Sequence, residues 1–382
     1  MATERRTSDA IVIGGGIIGL AVAWRLVRAG LSVRVLERNR LGREASWAAA
    51  GVLAAGSWQR RDPLVEFQRK SLRMYPHFCA ELAEASGIDP EYINCGSVEL
   101  LCDEQKFRMA QAEVDAAQAF PDAKGEPVLR LLSPREVAEI EPGLTGEILG
   151  AKLCTFNSQV RNPRLLRALA AAAERAGAHL VEGCAAALRR AGDRVIGAAG
   201  TGGDWIAPYT ILCAGAWSSL LDESLGKRIR VYPVRGQIAL IQAAPGLLGH
   251  IVKHRKSYLV PRRDGLVVAG STEEHDSGFD SAVTAEGLGR VLAMAQRMAP
   301  PLAGARFAQG WAGLRPATPD RRPFIGAVPG FEGLLVATGH FRTGLGLAPL
   351  TAEIIADLVL RGRTDHEVAA FRADRMSADA EM

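Results

Sequence analysis

The chain has no cysteine or histidine pattern from which a structural metal is read. Its six cysteines, at 79, 95, 102, 154, 184 and 213, form no C-x-x-C pair and no zinc spacing with a histidine. That excludes a zinc ribbon and a thioredoxin-type redox motif. It predicts no metal, and free, mostly buried thiols in a reducing compartment. Uninterrupted apolar runs of the roughly 18 residues that a membrane span needs are also missing. The opening "MATERRTSDA" has no signal-peptide core, so a cytoplasmic location is expected. Blocks of one charge are lacking too. Lys and Arg number 46 against 42 Asp and Glu, spread along the chain, and the pairs Arg5-Arg6, Arg60-Arg61 and Arg321-Arg322 are too short to form a basic tail. No nucleic-acid partner is expected. Internal repeats and low-complexity segments are absent, although alanine is locally dense.

What is present is an ordinary globular composition, 48% hydrophobic and 23% charged, on 382 residues. That length predicts two domains or one large composite domain. The first element is "AIVIGGGIIGLAVAWRLVRAGLSVRVLE". It reads as a buried strand at 10–13, a helix at 17–29 closed by Gly30, and a second strand at 31–36. Such a βαβ unit belongs in a parallel sheet. Asp62-Pro63 starts a helix that runs towards Gly87, with a break or kink expected at Pro76. Ser133 to Glu136 is a capping box, and Asn162-Pro163 opens another helix ending at Gly177. Residues 210–213 and 334–339 read as short buried strands, and a helix is expected over 349–360. Between Arg230 and Thr272 lie strand-like runs separated by Pro, Gly and Asp, the mark of a mainly antiparallel sheet.

Gly14-x-Gly16-x-x-Gly19 sits at a strand-to-helix turn. The glycines permit a tight turn, a close approach to a pyrophosphate and close helix–strand packing. The unpaired N–H groups at the helix start, at Ile17 and Ile18, favour an anion. Glu37 follows Gly19 by 18 residues, in place to accept hydrogen bonds from ribose hydroxyls and to repel a 2′-phosphate. A second glycine-rich turn, "ATGHFRTGLGLAP", enters the last helix and supplies backbone donors for the far end of a long dinucleotide such as FAD. A further oddity is Arg315 in "WAGLRPATPD". Exposed, or ion-paired, it needs no explanation; on a pocket wall it needs an anion to face.

Taken together, "VIGGGIIGLAVAWRLVRAGLSVRVLER", "ASWAAAGVLA", "SQVRNPRLLRALA", "ILCAGAWS", "VYPVRGQIALI", "YLVPRRDGLVVAGSTEE", "WAGLRPATPDRRPFIG" and "GHFRTGLGLAPLTAEIIADLV" resemble the D-amino-acid oxidase superfamily of flavoproteins. Within it they look most like the glycine oxidase branch tied to thiamine-thiazole synthesis. The resemblance covers nearly the whole chain. It implies an α/β fold: a Rossmann-like FAD-binding domain (1–80, 155–228 and 305–382) with an inserted, mainly antiparallel-sheet substrate domain (81–154 and 229–304). It implies that Glu37 and Arg38 lie around the adenosine ribose, and that Ser46, Ala49, Ala50, Gly51 and Leu53 form the loop passing the flavin. Ala186, Ala214 and Gly215 would lie near the dinucleotide, and Arg342, Thr343, Gly344, Leu345 and Gly346 near the flavin ring. No cysteine follows Cys213, and Ala317 and Thr318 stand after "GLRP", so the FAD is expected to be non-covalent.

The resemblance makes Arg315 the grip on a substrate carboxylate, in a bidentate fork, with Tyr258 giving a second hydrogen bond. It implies hydride transfer from the α-carbon of a neutral amine to flavin N5 and hydrolysis of the imine to an oxo acid. Reoxidation by O2 then gives H2O2. His340 and Arg342 would place positive charge or hydrogen bonds near the ring. Glu273, Glu274 and His275 read as a solvated loop. The same residues also suit a dehydrogenase with a non-oxygen acceptor, or an oxidase of sarcosine or D-amino acids. Tetrameric members of the superfamily point to a homo-oligomer.

Overall fold

The computed structural model describes residues 6–59, 61–120, 125–144 and 148–376; Arg5 and Arg60 of the short basic pairs lie outside them. A six-stranded sheet runs in the order Phe324–Ala327, Leu334–Thr338, Tyr209–Leu212, Ala10–Ile13, Val33–Leu36, His179–Val181. All its pairs are parallel except the first. Side chains alternate across a strand. Accordingly Ala10 and Val12 enter a core shared with the helices Ile17–Arg28, Asn162–Arg175 and Gly344–Arg361. Ile11 and Ile13 enter a second core with Val195 and Trp205, from a small four-stranded sheet on the opposite face. Both faces are covered, which is why the central strand Ala10–Ile13 is buried throughout.

The second large sheet has eight strands, in the order Arg306–Ala317, Tyr232–Gln242, Leu266–Gly270, Ser257–Pro261, Ile251–His254, Ser97–Leu101, Gly150–Cys154, Leu129–Leu132. It is antiparallel except where Ile251–His254 meets Ser97–Leu101. Helix Ala285–Met298, capped by the Thr284 hydroxyl, buries Val291, Ala295 and Met298 against Ala239, Val267 and Ala269 on one face of it. The sequence division at 305 is corrected by this sheet. Arg306–Ala317 is its edge strand and pairs along nearly its whole length with Tyr232–Gln242.

Two prolines behave differently from the sequence expectation. Helix Pro63–Ser86 continues through Pro76, because Leu72, Tyr75, Phe78, Cys79 and Leu82 around it are buried and tertiary packing outweighs one lost hydrogen bond. The last helix starts at Gly344 rather than at Pro349. Pro349 cannot donate to the Leu345 carbonyl, and the Tyr75 hydroxyl donates to that carbonyl instead. Among the described residues no helix is long and apolar enough to cross a membrane.

Candidate active site

A cavity of about 640 Å³ is lined by residues of both large sheets. Gly14 lies at its edge with φ +108°, and a Cβ there would meet the Cys213 carbonyl at 2.4 Å, so only glycine lets the turn close on the neighbouring strand. Gly19 lies behind the cavity, where a Cβ would come 1.9 Å from the Gly14 carbonyl; its part is helix–strand packing. Gly16, Ile17 and Ile18 line the wall. The Ile17 N–H donates to Ser46 Oγ at 3.0 Å, so that donor of the helix start is already used. Glu37, also on the wall, is tied down at both oxygens: Gly15 N–H donates to Oε2 at 2.8 Å and Asn39 N–H to Oε1 at 2.9 Å. One lone pair remains on each oxygen for a hydroxyl donor. The Arg38 guanidinium stacks 3.5 Å from the Trp217 ring centroid and pairs with Glu44 at 3.0 Å.

Ser46, Ala49, Ala50 and Gly51 line the cavity, whereas Leu53 does not. Leu53 is fully buried in the helix-side core and its strand pairs with Ser158–Gln159, so its side chain is structural. The loop is pinned by three side chains, from motifs the sequence analysis quoted without giving these residues a part in the site. Asn162 Nδ2 donates to the carbonyls of Ser46 and Trp47, at 2.9 and 2.6 Å. Trp311 Nε1 donates to Ala48 O at 3.0 Å. Arg262 donates to Ala50 O, Val160 O and Gln159 Oε1 at 2.8, 2.9 and 2.7 Å. Burial pulls that guanidinium down to about 10. Ala186, Ala214, Gly215 and Arg342 to Gly346 complete this part of the wall.

Arg315 and Tyr258 face the same cavity from strands separated by Tyr232–Gln242 and Leu266–Gly270. Arg315, on the edge strand, reaches over Gly236, where a Cβ would lie 2.2 Å from its guanidinium nitrogens. Nη1 donates to Thr272 O at 3.1 Å and Nη2 to Ser271 Oγ at 2.7 Å. Tyr258 lies over Gly270, where a Cβ would sit 2.7 Å from its hydroxyl. Two missing side chains thus let a guanidinium and a phenol converge at the end of Leu266–Gly270. Neither atom group touches a carboxylate of the protein among the described residues.

Two expectations about the ring end are corrected, the charge on His340 and the solvated loop at 273 and 274. His340 is 3% exposed, and burial pulls its imidazolium down to about 3, so it is neutral at pH 7 and supplies no charge. Its Nε2 lies 3.3 Å from Thr351 Oγ1. Arg342 is ion-paired with Glu273. Residues 273 and 274 are not a solvated loop: Glu273 also takes His275 at 3.1 Å, and Glu274 pairs with Arg235 at 2.6 Å. The segment 271–274 therefore holds Arg315, Arg342 and Arg235 in sequence.

The cavity fits a dinucleotide by its glycine cradle and by the backbone turns at 14–18, 214–215 and 344–346. The family model for FAD-dependent oxidoreductases (DAO) matches residues 9–358. This chain belongs to that family. FAD is its cofactor, and it is an enzyme. Glycine oxidase of Pseudomonas aeruginosa is 37% identical over 91% of this chain and 94% of its own. The bifunctional protein ThiO/ThiG of Trichormus variabilis is 32% identical over 98% of this chain, which spans 56% of that longer protein. The crystal structure of glycine oxidase from Geobacillus kaustophilus superposes with a TM-score of 0.88 at 32% identity, covering 97% of this chain and 99% of that one.

Proposed function

We propose that the chain oxidises glycine or a closely related small amino acid to the corresponding oxo acid and ammonia, with oxygen as electron acceptor and hydrogen peroxide as product. The observation that carries this reading is the convergence of Arg315 and Tyr258 over Gly236 and Gly270, on the wall of the cavity that the Gly14–Gly19 turn opens. Bound FAD would supply the acceptor for the electron pair. The chain's own residues do the rest. Gly14 to Ile18, Glu37, Ser46, Ala49 to Gly51, Ala214, Gly215 and Gly344 to Gly346 would hold the cofactor.

Arg315 carries five N–H donors, and its bonds to Thr272 and Ser271 fix the guanidinium plane. The donors left over grip the substrate carboxylate, and the Tyr258 hydroxyl donates to the same group. This fixes the α-carbon, which is the positional contribution to rate. The carboxylates on the cavity wall, among the described residues, are Glu37 and Glu44, both in the dinucleotide part. His340 is neutral and turned to Thr351. The amine therefore gives up its proton to solvent and reacts neutral.

The cavity cysteines, Cys184 and Cys213, are buried, and burial pushes both thiols up, which supports a non-covalent FAD. Likeness to ThiO/ThiG supports a place in thiamine-thiazole synthesis. The test is product analysis. FAD-saturated protein given glycine in air should yield glyoxylate, ammonia and peroxide in equal amounts. Absence of glyoxylate over a FAD-only control would refute the reading.

A further inference from the structure

The charges on the cavity wall are lopsided. Among the described residues the acids that line it are Glu37 and Glu44, beside the dinucleotide turn, whereas Lys253, Arg255, Lys256, Arg315 and Arg342 line the part built by the eight-stranded sheet and the Arg342 turn. A monocarboxylate amino acid needs one such cation. Arg342 and Lys256 are matched from behind by Glu273. Arg315 is taken by the carboxylate of the proposed reaction. Lys253 and Arg255 are left over, and of the two Arg255 is exposed to solvent whereas Lys253 is not.

The position of Lys253 is fixed by strand register. Trp311, Ile238, Gly270, Tyr258, Lys253, Glu99 and Lys152 are consecutive partners across the sheet and share one face. Lys253 is thus the immediate neighbour of Tyr258, one strand spacing of about 4.8 Å further from Arg315. On its other side Glu99 is in contact with Lys152 at 2.8 Å, and Glu113 with the same Lys152 at 2.6 Å. Both nearby carboxylates are therefore engaged, and Lys253 makes no ion pair among the described residues. It is not exposed, and burial pulls its ammonium below the usual lysine value, with Cys154, Glu99 and Glu113 opposing and Lys152 assisting. A half-buried ammonium without a contacting anion is costly unless something else supplies one.

We infer that Lys253 forms a second anion subsite, and that the enzyme prefers amines bearing two acid groups, one held by Arg315 and Tyr258 and the other by Lys253. The substrate class is a dicarboxylic amine, such as an N-carboxymethyl amino acid or an acidic amino acid. This rests on the proposed amino-acid oxidation and narrows it. Arg255 and Lys256, on the turn beside Lys253, raise the local concentration of such dianions.

The test separates binding from turnover. Two unreactive ether acids are titrated into the FAD-loaded enzyme, oxydiacetate with two carboxylates and methoxyacetate with one, followed by calorimetry and by competition against glycine. The expected result is oxydiacetate at least about tenfold tighter than methoxyacetate. That ratio should collapse towards one in Lys253→Met and persist in Lys253→Arg, which keeps the charge and controls for folding. Turnover should follow: kcat/KM for iminodiacetate over that for sarcosine should fall at least about tenfold in Lys253→Met. Equal affinities for the two ether acids, or a ratio unmoved by Lys253→Met, would overturn the subsite while glycine oxidation stands. Absence of glycine turnover in the wild type would instead remove the reading on which it rests.

Discussion

Arg315 depends on an absence as much as on its own donors. Its guanidinium occupies the space above Gly236, and a Cβ there would sit 2.2 Å from it. Gly236→Ala should therefore displace the guanidinium without touching the FAD wall. The expected outcome is a KM for glycine raised by one to two orders of magnitude, about 1.4–3 kcal/mol of lost carboxylate binding, with FAD affinity retained. Steady-state kinetics alongside a flavin-release titration checks it, and an unchanged KM would mean that the arginine does not hold substrate from this position. The contrast with His340 is instructive. A histidine beside a flavin turn invites an electrostatic role, but burial with a threonine hydroxyl as its polar neighbour leaves it neutral. Sequence shows which side chains can carry charge, and only packing shows which of them do.

The loop 45–51 is held by elements distant in the chain, and its main pin is Arg262. Arg262→Met would fill similar volume but leave the carbonyls of Ala50 and Val160 without these donors. A loss of about 3 kcal/mol of stability is expected, read as a lower urea midpoint, together with weaker FAD retention. A midpoint within error of the wild type would contradict the pin. Nothing local announces this arginine, since its acceptors are main-chain atoms about 100 and 200 residues away. The βαβ unit was legible for the opposite reason: apolar period, turn glycines and the acid at 37 all lie within one short segment. The edge strand Arg306–Ala317 was not, because its glycines and arginines carry no strand alternation and its partner lies far upstream. Pro76 and Pro349 misled for a related reason. Each removes one hydrogen bond locally; tertiary packing outweighs that loss at Pro76, and the distant Tyr75 hydroxyl replaces the bond at Pro349.

At the scale of the molecule the two large sheets face one cavity, and carboxylates tie parts of the chain together. Burial opposes their ionisation, but hydrogen bonds and charge from Lys152, from Arg235 with Thr272 and Gln237, and from Arg375 hold Glu113, Glu274 and Asp320 below the usual carboxylate range. Their native pKa values are depressed, so below the ordinary value of 4.5 for a glutamate the unfolded chain binds more protons than the native one. Stability from these groups is fully present above that pH and is lost as pH falls through the depressed values. Urea midpoints should be flat from about pH 7 to 5 and then decline towards pH 3. A midpoint that held constant to pH 3 would show that the carboxylates contribute nothing to the native state. The overall architecture was legible from motif order and strand punctuation. The charge balance of the cavity was not, because Lys253 and Arg342 become neighbours of Tyr258 only through sheet register and a loop return.

The measurement that decides most is anaerobic addition of glycine to the FAD-loaded wild type and to Arg315→Ala, followed by the visible flavin band. The wild type should bleach and regain its colour in air, while Arg315→Ala should need at least about a hundredfold more glycine to bleach equally. A wild type that keeps its colour with every small amino acid, or an Arg315→Ala that bleaches at the same glycine concentration, would contradict the carboxylate clamp.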